Sequence, residues 1–101
     1  MDQKQLLLDI AMNLSRIGNW TADDFVGKRK RIDLFLTQTK EYMGQLHRDT
    51  FSPKLLQTIT RFSTEFSDYE KELQSTPKDT YALAEELLTW ANILTHRSSL
   101  G

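Results

Sequence analysis

The chain has 101 residues, of which 39% are hydrophobic and 27% are charged, and its formal net charge is −1. These values are typical of one folded domain with a hydrophobic core, and they argue against a disordered chain. The near-neutral charge gives no general attraction to nucleic acids or acidic membranes. Because cysteine is absent from the sequence, disulfides, thiolate zinc sites and a cysteine nucleophile are excluded.

Residues that break helices are rare, since the chain contains only four glycines and two prolines. Long helices are therefore expected, and the first is predicted to close at Gly18, a residue type common just past a helix end. The second is predicted to open at Thr21 with a capping box, and the third and fourth at Ser52-Pro53 and Thr76-Pro77. The third helix has the clearest hydrophobic stripe, with residues spaced four and three apart: Leu55, Ile59, Phe62, Phe66, Tyr69 and Leu73.

These signals predict one all-α domain over residues 1–101, an antiparallel up-down-up-down four-helix bundle with a short first helix. The short connections also set a register between neighbouring helices, which places Phe62 of the third helix beside Trp90 of the fourth. The predicted helices span about residues 2–17, 22–49, 53–74 and 77–97.

The predicted difference in helix length carries the main functional hypothesis. At 1.5 Å per residue, the first helix reaches about 25 Å and the second about 40 Å, so one end of the bundle has three helices around it. Apolar side chains left open there would form a surface for a protein partner, most simply a second copy in a homodimer. The residues expected in this partner-binding surface are Tyr42, Met43, Leu46, Leu56, Trp90 and Leu94. Two alternatives are that the helices tilt and close this end, and that it holds a small ligand.

A run of four cations, Lys28, Arg29, Lys30 and Arg31, suggests an alternative function as a nucleic-acid-associated regulator. Consecutive helical residues point about 100° apart, so the run encircles the helix instead of forming one basic face. Surface ion pairs with neighbouring acids are therefore the main competing interpretation, and a nucleic-acid partner is not the leading hypothesis.

No catalytic, metal or cofactor motif is present in the sequence. A metal shared by His47 and His96 would need a third ligand, for which only Asp49 is an obvious candidate. The adjacent Glu85 and Glu86 point in different directions on a helix. We therefore expect no enzyme activity, no metal and no cofactor. No segment is long and apolar enough to cross a membrane, and the leucine run at residues 6–8 is too short for a signal-peptide core. A cytoplasmic protein without a membrane partner is expected.

Overall fold

The computed structural model describes residues 2–99, and this range contains four α-helices, one short 3-10 helix and no strand. The all-α prediction is therefore confirmed. The α-helices are α1 (Gln3–Asp24), α2 (Arg29–Gly44), α3 (Pro53–Gln74) and α4 (Thr80–Ser98), and the 3-10 helix spans Arg48–Thr50.

The helices form the predicted antiparallel up-down-up-down bundle. Each of α1 and α3 packs against both α2 and α4, and α1 and α4 make the closest approach. Short connections join consecutive helices, which forces each helix to run antiparallel to the one before it. The molecule is elongated along the helix axes, with extents of 38 × 22 × 19 Å.

The predicted division between the first two helices is wrong. The first helix has 22 residues and continues through Gly18, while the second has 16 residues, so the first helix is not the short one. Gly18 lies inside α1 instead of closing it. Its role is to allow α1 to pack closely on α4. A Cβ at Gly18 would lie 3.0 Å from Leu88 Cγ and 3.2 Å from the carbonyl oxygen of Ala84. The glycine therefore permits the close approach of the two helices.

The turn between α1 and α2 also differs from the predicted cap. The backbone N–H of Gly27 donates to Asp24 Oδ1 over 3.0 Å, and the N–H of Lys28 donates to the Asp24 carbonyl over 2.9 Å. Asp24 thus ends the first helix instead of opening the second. Thr21 does not cap a helix, because it lies inside α1 with 1% of its surface exposed.

The later helix boundaries agree more closely with the sequence. The bounds of α3 match the prediction of 53–74, and the Ser52 hydroxyl accepts from the Leu55 N–H as an N-cap. Helix α2 ends at Gly44 instead of near residue 49. Helix α4 begins three residues later than predicted, because Asp79 caps it by accepting from the Ala82 N–H.

The core confirms the predicted pairing of α3 with α4. The rings of Phe62 and Trp90 lie 5.4 Å apart between centroids, and Phe62 also packs against Phe66 at 5.6 Å. The α1 side of the core consists of aliphatic residues that are almost completely buried, namely Leu6, Leu7, Ile10, Leu14 and Ile17.

We expect Thr21→Val to raise the free energy of unfolding by about 1 kcal/mol, because a buried hydroxyl without a partner costs stability. Among residues 2–99, no group forms a hydrogen bond with the buried Thr21 hydroxyl. Thr39 provides a matched control, since it is 0% exposed and its hydroxyl donates to the Phe35 carbonyl over 2.7 Å. Urea unfolding should show that Thr39→Val gives no gain, and equal gains for both variants would contradict the assignment.

Candidate functional site

The predicted partner surface around Leu46, Trp90 and Leu94 is not open in the monomer. These three side chains belong to the hydrophobic core and are 9%, 6% and 1% exposed, respectively. Tyr42 and Met43 are half-buried and pack against the same core. Leu56 is also half-buried, and it lines a shallow depression on the outer side of α3.

Helix α1 is the reason that this end of the bundle is closed. Its first residue, Gln3, accepts a 2.6 Å hydrogen bond from the backbone N–H of His47 and donates to the Gln45 carbonyl over 3.4 Å. The start of α1 is thereby fixed against the end of α2, and Leu6 and Leu7 fill the space between the helices. The expected three-helix pole is absent from the described residues, since four helices reach this end.

The basic run does not form a common surface. Arg29 is held in place: one guanidinium NH donates to the Gln74 carbonyl over 2.7 Å, and Cζ lies 5.1 Å from the centroid of the Phe25 ring. Its Nε also lies 3.8 Å from an Asp33 carboxylate oxygen. Lys28 precedes α2 and is half-buried, while Lys30 and Arg31 are exposed. The run therefore lacks the shared basic face that a nucleic acid would contact. A nucleic-acid function for it stays a prediction.

The described residues contain neither a cluster of metal ligands nor a membrane-spanning helix. No group of three or more histidine, aspartate or glutamate side chains in residues 2–99 is arranged to hold a metal ion. No helix in the same range combines the length and the hydropathy needed to cross a membrane.

The candidate site is a groove on the outer side of α3 and α4, which we call the α3–α4 groove. It consists of two adjoining depressions of about 540 and 380 Å³ that share Arg61, Trp90 and Ile93. The larger depression, here the acidic end, is also lined by Glu65, Tyr69, Ala82, Glu85, Glu86 and Thr89. The smaller depression, here the basic end, is also lined by Thr58, Asn92, His96 and Arg97.

A hydrogen-bond network between α3 and α4 fixes the middle of the groove. The indole Nε1–H of Trp90 points to Glu65 Oε1 at 3.3 Å and to the Tyr69 hydroxyl oxygen at 3.1 Å. The Tyr69 hydroxyl in turn donates to Glu65 Oε1 over 3.1 Å, and Arg61 Nε donates to Glu65 Oε2 over 3.1 Å. The Arg61 guanidinium carbon lies 6.0 Å from the centroid of the Trp90 ring. These contacts link α3 to α4 through the polar edge of the Trp90 ring.

The network changes the acidities of its members. Burial raises the pKa of the Glu65 carboxyl, but the hydrogen bonds that this group accepts outweigh burial and hold the pKa below its usual value. Burial, together with the Glu65 carboxylate beside it, raises the pKa of the Tyr69 hydroxyl. Glu65 therefore stays ionised and Tyr69 neutral at physiological pH.

The groove has opposite charges at its two ends. Among residues 2–99, the acidic end contains the carboxylates Glu65, Glu85 and Glu86 with Arg61 as its one cation, whereas no carboxylate lines the basic end. On α4, the acids precede the bases by about three helical turns, or roughly 16 Å at 1.5 Å per residue.

Most residues of this groove were not identified as a site from the sequence. The signal was present in the spacing of Arg61, Glu65 and Tyr69, which are four residues apart and share one helix face. Together with the predicted contact of Phe62 with Trp90, this spacing places all three next to Trp90. The sequence also shows that the acids precede the bases on α4, but spacing alone does not reveal that these residues line one groove with Arg61.

Comparison with known proteins finds no matching family, no matching curated protein and no matching solved structure. The structure itself therefore defines the class of the protein. It is a small antiparallel four-helix bundle with a groove between α3 and α4 that is acidic at one end and basic at the other.

Proposed function

We propose that this protein is a non-catalytic module that self-associates as a homodimer through the α3–α4 groove. The observation that supports this proposal is the order of charge along the groove, which is acidic at one end and basic at the other. A surface with this order is complementary to itself after a two-fold rotation, which is the symmetry of most homodimers.

The positions of the charges on α4 define how two copies would pair. When the two α4 helices run antiparallel and the axis passes between Thr89 and Ile93, Glu86 of each protomer lies beside the partner's Arg97. Glu85 then lies near the partner's His96. Thr89 and Ile93 occupy the centre of the contact, where the short Thr89 side chain permits a close approach. The charged pairs form the outer parts of this interface and fix its direction.

The network around Glu65 favours binding over catalysis. A carboxylate whose pKa is held below the usual value is a weak general base at neutral pH, and this one is already engaged by Arg61, Tyr69 and Trp90. An interface benefits from the same features, because side chains ordered before association lose less entropy when a partner binds.

The dimer can be tested with a charge swap. Light scattering and sedimentation equilibrium over a concentration series should show a monomer–dimer equilibrium. We expect Arg97→Glu and Glu86→Arg each to weaken association about tenfold, because each replaces two attractive pairs with two repulsive ones in a symmetric dimer. The double variant should recover most of the affinity, since the exchanged charges again face each other.

Two exposed residues outside the groove provide matched controls for the charge changes. Arg31→Glu and Glu72→Arg alter the net charge by the same amounts but lie away from the described groove residues, so association should be unchanged. A protein that stays monomeric at high micromolar concentration would refute the proposal. A double variant no better than the single variants would refute the antiparallel pairing.

A further inference from the structure

We propose that the basic end of the α3–α4 groove binds the phosphate group of a small soluble molecule. Two guanidinium groups, one imidazole, one amide and one hydroxyl line this depression of about 380 Å³, and they come from both helices. This composition supplies many hydrogen-bond donors and two permanent positive charges. Among the described residues no carboxylate lines this depression, and the one carboxylate that pairs with its cations is Glu65 of the acidic end, which accepts from Arg61.

The donors of Arg61 are arranged to serve both ends of the groove. Its Nε–H donates to Glu65 Oε2, and this contact directs the largely exposed guanidinium towards the Trp90 ring. A guanidinium carries five N–H donors, so four remain for an anion after the Glu65 bond is made. Glu65 therefore acts as a positioning residue for Arg61.

Arg97 supplies a second positive charge that lacks a carboxylate partner among the described residues. The ion pairs in residues 2–99 are formed by Arg29, Lys40 and Arg61. Arg97 is half-buried, which limits the number of conformations that it must lose when it binds an anion. Partial burial also weakens solvent screening of its charge. A planar guanidinium matches the geometry of a phosphate oxygen pair.

The contrast with the basic run supports the choice of this site. Lys30 and Arg31 are exposed and are consecutive on one helix, so their side chains diverge. Arg61 and Arg97 instead line one depression together with His96 and Thr58. Donors from two helices that line one depression can reach the same anion, whereas donors that point away from each other on one helix cannot.

If the proposed dimer exists, phosphate binding and association exclude each other, and this part of the inference rests on the proposed function. The partner's glutamates and a phosphate group require the same donors, namely Arg97 and His96. A phosphate-bearing molecule would therefore shift the equilibrium towards the monomer, which makes the groove a ligand-controlled contact. One protomer supplies all the residues of the phosphate site, so phosphate binding to the monomer does not depend on the dimer.

Inorganic phosphate and pyrophosphate are suitable probes, titrated at constant ionic strength set with sodium chloride. We expect ¹H–¹⁵N spectra to show saturable shifts of the Trp90 indole and Asn92 amide signals, with a dissociation constant on the order of 1 mM for phosphate. Arg97→Gln should weaken binding about tenfold, because it removes a charge-assisted bidentate contact. His96→Gln should weaken it less, while His47→Gln and Arg31→Gln, outside the groove, should leave it unchanged.

The outcomes separate the two proposals. Saturable binding that Arg97→Gln weakens supports the phosphate site whether or not the protein dimerises. Shifts that increase linearly without saturation, or that are the same in Arg97→Gln and in the unchanged protein, overturn it. A dimer whose dissociation constant is unaffected by saturating pyrophosphate would overturn the exclusion while leaving the dimer in place.

Discussion

Phe62→Ala should lower the free energy of unfolding by about 3–5 kcal/mol, the range for truncating a fully buried phenylalanine. Phe62 is 1% exposed and lies between Phe66 and Trp90, with both ring centroids less than 6 Å away. Removing the ring loses its burial and leaves a cavity that these two rigid aromatic neighbours cannot fill by small movements. Since domains of this size are stable by roughly 5–15 kcal/mol, the loss is a large fraction of the total.

Urea unfolding monitored by circular dichroism would measure this loss. Phe51→Ala is the matched control, because Phe51 is half-buried beside the core and its substitution removes a ring of the same size. Its cost should be clearly smaller, at about 1–2 kcal/mol. Equal losses for the two variants would mean that the ring of Phe62 is not the centre of the α3–α4 contact.

The sequence predicts α3 well because independent signals agree there. Ser52 and Pro53 form a start signal, the hydrophobic stripe is regular, and the observed helix has the predicted bounds. The same reasoning fails at Gly18, where a glycine can close a helix or permit a close helix–helix contact. Local sequence does not separate these two roles, because the deciding atoms belong to Leu88 and Ala84 on another helix.

The error at Gly18 propagates to the predicted site. Placing the end of α1 too early leaves Leu46 and Leu94 apparently uncovered, although α1 and its contacts with the end of α2 close that pole. The α3–α4 groove was harder to predict, because its central element is a buried indole whose polar edge faces a carboxylate. Pattern analysis assigns Trp90 to a hydrophobic face and gives no indication of its bond to Glu65.

Two glycine-to-alanine substitutions should change stability in opposite directions. Gly18→Ala should lower the free energy of unfolding by about 2 kcal/mol, the difference between an overpacking cost of about 3 kcal/mol and a gain of about 1 kcal/mol in helix propensity. The new Cβ would lie 3.2 Å from the Ala84 carbonyl oxygen, and a backbone atom cannot rotate away as the Leu88 side chain can. Helices α1 and α4 would have to separate.

Gly44 is the matched position, since it also lies in a helix but no atom of another described segment is within 4 Å of the point that a Cβ would occupy there. Gly44→Ala should therefore raise the free energy of unfolding by about 0.5 kcal/mol through helix propensity alone, reduced by its place at the end of α2. Chemical denaturation of both variants measures the two changes in the free energy of unfolding and shows whether they have opposite signs. A stabilised Gly18→Ala would show that α1 and α4 tolerate a wider spacing, and Gly18 would then be an ordinary helix-interior glycine with no packing role.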